Sequence, residues 1–166
     1  MLLTGLLPDI TTDPAIETAT DSVEAGRSGT IVAPVGIRPP LLAAVASRAA
    51  TPLVVLTATG RDAESLTNAL ASWIPGVAML PAWETLPHER LSPQVDTMAR
   101  RIAVLRRLVH PIKGDDSAGP MSVLVVPIRA FLQPIISGLA DLEPVRVRKG
   151  AILDLTETTN RLAEPG

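Results

Sequence analysis

The sequence predicts an α/β protein: an open, mostly parallel sheet with helices on both faces in three layers, followed by the start of a second domain. Three observations carry this. Short apolar runs such as LVVLT (residues 53–57) and SVLVV (122–126) read as strands buried on both sides, as parallel strands are. Segments with apolar residues at three- and four-residue steps lie between them. The order strand, helix, strand, helix then selects the parallel architecture.

Taken in order, Asp13 before Pro14 is a cap and first-turn pair that opens a helix closed by Gly26. TIVAP (30–34) is expected to be the first strand, VGIRPP the loop after it, and residues 39–50 an alanine-rich helix. Residues 53–57 give the second strand and residues 61–73 a helix, with Ala63, Leu66, Ala69, Leu70 and Trp73 at helical spacing. A third strand covers residues 77–80. Pro81, Pro87 and Pro93 then recur every six residues, so 83–92 is a stiff, shaped connection rather than helix or central strand.

Ser92, Pro93 and Asp96 suit the cap and first turn of the next helix. Its expected buried stripe is Val95, Met98, Ala99, Ile102, Leu105 and Leu108, with Arg100, Arg101, Arg106 and Arg107 mostly outside it. Residues 110–120 are polar, flexible and turn-rich. A fourth strand at 122–126, a helix over 127–138 interrupted by Pro134, a half-exposed strand at 142–148 and a helix opened by Asp154 or Thr156 complete the chain. The expected units are a helical segment at 1–27, the α/β domain at 28–140 and an incomplete second domain at 141–166.

Composition narrows the function. The 166 residues are 46% hydrophobic but 2% aromatic, so the core is aliphatic and few rings are available for stacking on bases. Net charge is −2, which argues against coating nucleic acid or an anionic membrane. Asp9, Asp13, Glu17, Asp21 and Glu24 stand in the first 26 residues without Lys or Arg. No cysteine is present, which excludes disulfides and thiolate metal sites and fits a cytoplasmic setting. No apolar run reaches the roughly 18 residues of a membrane span.

A nucleotide-binding sheet carries GxxxxGK[ST] between its first strand and helix, where backbone N–H groups and a Lys hold phosphates. Here the stretch reads APVGIRPPLLAA: Gly36 remains, Arg38 is the only cation, and Pro39 and Pro40 remove two donors. No catalytic group, cofactor or metal site is expected; His88 and His110 lie on separate loops. The candidate interaction surface is Trp83, Glu84 and His88 of the proline-rich loop with Arg100, Arg101, Arg106 and Arg107. Trp83 reads equally as a hot spot or as a plug beneath the loop. The arginines read as phosphate contacts or as solvated charges.

The segment LPAWETLPHERLSPQVDTMARRIAVLRRL (80–108), with its WETLP core, a following Ser-Pro and the helix-opening Asp, resembles the amino-terminal region of bacterial transcription-repair coupling factors (Mfd). LVVLTATGRDAESL, SVLVVPIRAFLQP and LEPVRVRKG extend the resemblance over roughly residues 28–164. It implies a degenerate RecA-like, P-loop-like unit similar to the first domain of the helicase UvrB, with the phosphate loop worn away. It also implies a docking role: recruitment of UvrA after stalled RNA polymerase is displaced, and packing against the protein's carboxy-terminal region when idle. ATP hydrolysis and translocation on double-stranded DNA are implied for later lobes, and most of the UvrA-contacting surface for the second domain, of which only the opening is expected here. The alternative is a residual nucleotide- or DNA-binding domain in which the four arginines track phosphates.

Overall fold

The computed structural model describes residues 3–84, 94–115, 117–143, 150 and 154–163. A 3-10 turn at Thr4–Leu6 leads into α1 (Leu7–Thr11) and α2 (Pro14–Glu24). A second 3-10 turn, Val35–Ile37, runs into α3 (Arg38–Arg48), then β1 (Leu53–Thr57), α4 (Gly60–Leu70) and β2 (Val77–Met79). After the proline-rich loop come α5 (Val95–Val109), β3 (Val123–Pro127), α6 (Ile128–Phe131), a 3-10 turn at Leu139–Asp141 and α7 (Leu155–Ala163).

The sheet is parallel throughout, in the order β1-β3-β2. β3 is buried along its whole length because it has a neighbour on each edge and helices on each face. The pleat sorts its side chains. Val123 and Val125 join Leu7, Ala43, Ala46, Ala63, Leu70 and Ile74 in a core under α1, α3 and α4. Leu124 and Val126 join Ala78, Leu80, Val104, Met121 and Ala130 in a second core under α5 and α6. The expected α/β architecture with helices on both faces is therefore present.

Local chemistry fixes the ends. The Asp13 carboxylate accepts the Ala15 N–H at 2.9 Å and caps α2, and the Thr59 hydroxyl accepts the Asp62 N–H at 3.1 Å and caps α4. Asp154 caps α7 through the N–H groups of Thr156 and Glu157. Gly76 sits at φ 75, and a Cβ there would meet the Ser122 nitrogen at 3.0 Å and the Pro120 oxygen at 3.1 Å. Only glycine lets the turn into β2 approach β3 so closely, and its carbonyl accepts the Ser122 N–H at 2.9 Å.

Four expectations change. TIVAP (30–34) is not a strand: the stretch has no ladder partner among the described residues and Val32 is 96% exposed. A four-residue run between Gly29 and Pro34, whose ring removes a donor, gains too little from pairing unless a neighbour strand is already in place. The sheet thus has three strands among the described residues rather than four or five. The helix expected over 127–138 ends at Phe131, short of Pro134. The polar stretch at 110–120 is a tied turn in which Ile112 donates to the Ala118 carbonyl at 2.8 Å and Asp115 accepts the Ser117 and Ala118 N–H groups.

The fourth change is the orientation of α5. Its buried face is Thr97, Arg101, Val104 and Leu105, about a quarter turn from the stripe that hydropathy selects. Val95, at 81% exposure, and Met98 face outward instead. Ser92 and Pro93, the expected start of this helix, and 144–149 of the expected fifth strand lie outside the described residues.

Candidate interaction surface

The loop leaving β2 is held where it passes over α5 and α6. Gln133 grips Trp83 at both backbone groups: the Trp83 N–H donates to Oε1 at 2.8 Å, and Nε2 donates to the Trp83 carbonyl at 3.3 Å. Pro134 is the next residue, so the Gln133 side chain projects from a segment that has left the helix. Arg129 donates to the Glu84 carbonyl at 3.1 Å. From the other side Arg101 donates to the Pro81 carbonyl at 2.6 Å, and its guanidinium lies 4.5 Å from the centre of the Trp83 ring.

Arg101 is 0% exposed, and its Nε and Nη2 have no hydrogen-bond partner among the described residues. Burial pushes its pKa below the ordinary guanidinium value. The sequence places this residue on an outer cationic face; the structure places it under the loop, because a cation can enter the interior when a ring and a carbonyl receive it. Trp83 is half-buried above it. Glu84 is exposed, and the Thr97 hydroxyl donates to its carboxylate. That bond, with backbone N–H donors of Glu84 and Gln94, holds the Glu84 pKa below the ordinary carboxylate range.

The remaining arginines are also engaged. Arg106 donates to the Leu142 carbonyl at 3.1 Å and lies 3.7 Å from Glu143, fastening the Leu139–Asp141 turn to α5. Arg107 donates to the Gly119 carbonyl at 2.9 Å. Arg100 alone of the four stands well out in solvent, paired with Asp96 one turn away at 2.9 Å. His88 lies outside the described residues. The outward surface here is therefore Glu84, Val95, Met98 and Arg100. Hydropathy alone misses the apolar pair, because it assigns Val95 and Met98 to the buried stripe of α5.

At the other candidate position, the start of α3, the geometry of an anion cradle is missing its donors. The Ile37 N–H goes to the Pro34 carbonyl at 3.0 Å and the Arg38 N–H to the Val35 carbonyl. The next two residues, Pro39 and Pro40, have none. All four N–H groups that a helix start normally offers an anion are spent or deleted. Gly36 and Arg38 are exposed beside this turn.

No protein-family model matches the chain. Among curated proteins, the transcription-repair-coupling factors of Mycobacterium bovis and Mycobacterium tuberculosis are each 44% identical over 138 residues, covering 81% of this chain. The Escherichia coli factor is 29% identical over 96 residues, covering 57% of this chain and 8% of its own length. This chain spans 11% of the length of the two mycobacterial relatives. That similarity bears out the resemblance carried by the proline-rich loop: over 138 residues this chain is similar to part of the transcription-repair-coupling factors.

Proposed function

We propose that this chain is a non-catalytic scaffold and interaction module of a transcription-repair coupling factor. In the intact protein it helps couple removal of stalled RNA polymerase to nucleotide excision repair through recruitment of UvrA, while ATP-driven translocation on double-stranded DNA belongs to other parts of the polypeptide. The division into 1–27, 28–140 and 141–166 is part of the same proposal, with direct UvrA contact assigned mainly to the second domain that residues 141–166 open.

The observation that carries the non-catalytic reading is the start of α3, where two N–H groups are consumed by the 3-10 turn and two are replaced by proline rings. Phosphate binding at a helix start depends on those main-chain donors. The clamped loop supports the scaffold reading: Gln133, Arg129 and Arg101 hold it from both sides, and Glu84, Val95, Met98 and Arg100 form the outward face beside it.

Isothermal titration of the chain with magnesium ATP tests the reading directly. No heat of binding and no hydrolysis are expected, and micromolar affinity with turnover would overturn it. The DNA-binding alternative requires phosphate contacts from Arg100, Arg101, Arg106 and Arg107. Three of these already donate to carbonyls of the chain itself, which disfavours it. A DNA affinity that falls steeply with salt would restore that alternative.

A further inference from the structure

We propose that the cavity between the ends of α3 and α5 binds a free apolar α-amino acid. The cavity holds about 320 Å³, at the small end of the range for small-molecule sites. Its walls are the chain leaving α3, the last turn of α5 with Pro111, and the approach to β3. Pro52 and Ser122, both in the wall, immediately precede β1 and β3. The cavity therefore lies at the end of the sheet opposite the proline-rich loop, which leaves β2, and the inference does not rest on the role of that loop.

The wall selects the ligand in three ways. Arg107 is its one charged side chain. The Arg107 Nε donates to the Gly119 carbonyl at 2.9 Å, which fixes the guanidinium, while Nη1 and Nη2 have no acceptor among the described residues. Such a fork matches a carboxylate. Next, α3 and α5 both end here, at Arg48 and Val109. The last of their carbonyls to receive a main-chain donor are Val45, from Ala49, and Arg106, from His110. Those beyond are open acceptors among the described residues, and each helix end carries about half a negative charge. Arg48, the cation of the last turn of α3, is spent on Asp21 and Glu24. An ammonium group is favoured at these ends as a carboxylate is at Arg107. Finally, Ala49, Leu108 and Met121 leave much of the wall apolar, with the hydroxyls of Thr51 and Ser122 as further donors. A carboxylate, an ammonium group and a short apolar side chain on one small molecule answer all three features. A simple carboxylate would leave the helix ends unmatched, and a simple amine would be repelled by Arg107.

Titration of the whole chain with L-leucine, followed by amide proton–nitrogen correlation NMR, tests the site. Saturable shifts at about millimolar ligand are expected, confined to residues 46–52, 107–111 and 120–122. Isocaproate, which lacks the ammonium group, and isoamylamine, which lacks the carboxylate, should each bind about tenfold more weakly or worse. Arg107→Lys keeps the charge and loses the fork, and should weaken leucine by about tenfold. Ala49→Leu fills the cavity without removing a hydrogen-bonding side chain, so it should abolish the shifts while the thermal midpoint shows the chain folded. No saturable shift in the wild type, equal binding of leucine and either half-ligand, or an undiminished response in Ala49→Leu would overturn the inference.

Discussion

Arg101 shows how a single side chain can reverse the reading of a helix. Among the described residues its buried guanidinium has one hydrogen bond, to Pro81, one ring contact, to Trp83, and two unpaired nitrogens. Replacing a buried charge by an apolar chain of similar length is often neutral or stabilising, whereas truncation leaves a cavity. Arg101→Met is therefore expected to unfold in urea within about 1 kcal/mol of wild type, and Arg101→Ala to lose about 2 kcal/mol or more. Glu84 makes a second, pH-dependent prediction. Its pKa is depressed in the folded chain by the Thr97 hydroxyl first and by backbone N–H groups next. A depressed carboxylate stabilises the fold above its unfolded pKa of about 4.3 and loses that contribution as pH falls through the lower folded value. Glu84→Gln should thus narrow the difference between the urea midpoints at neutral and strongly acidic pH, read by circular dichroism.

Elements were legible where a local signal agreed with the tertiary fold. Asp13 and Thr59 announce α2 and α4, and the apolar runs announce β1, β2 and β3. Asp13→Ala should cost about 0.5–2 kcal/mol, measured by urea denaturation, since two N–H groups lose their acceptor. Gly76→Ala should be worse than an ordinary turn substitution, by about 1 kcal/mol or more, because it combines a positive φ with a contact against the Ser122 backbone. What sequence could not supply was the packing of long-range partners. The face α5 turns inward is decided by Arg101 reaching Pro81 and Trp83, a contact invisible to a hydropathy period. The carboxylates of α2 likewise have no Lys or Arg in the first 26 residues, yet Arg48 of α3 meets Asp21 at 2.9 Å and Glu24 at 2.8 Å. The TIVAP run has the composition of a strand and lacks the neighbour that would make it one.

At the scale of the whole molecule, the two cores sit on opposite faces of one central strand, so β3 contributes side chains to both. The fold class and family were readable because the strand and helix runs and the proline-rich loop are local patterns. The candidate surface was readable only in part, because which arginines reach solvent depends on carbonyls far along the chain. Arg38→Lys, which supplies a lysine beside Gly36, is expected to leave magnesium ATP without measurable affinity in calorimetry. One codon change can exchange a side chain, but the start of α3 has prolines at 39 and 40, which carry no main-chain hydrogen, and commits the two N–H groups before them to a turn. A lysine placed there would stand alone, because a triphosphate is gripped by several main-chain hydrogens at once and a single side chain cannot replace the bend that presents them.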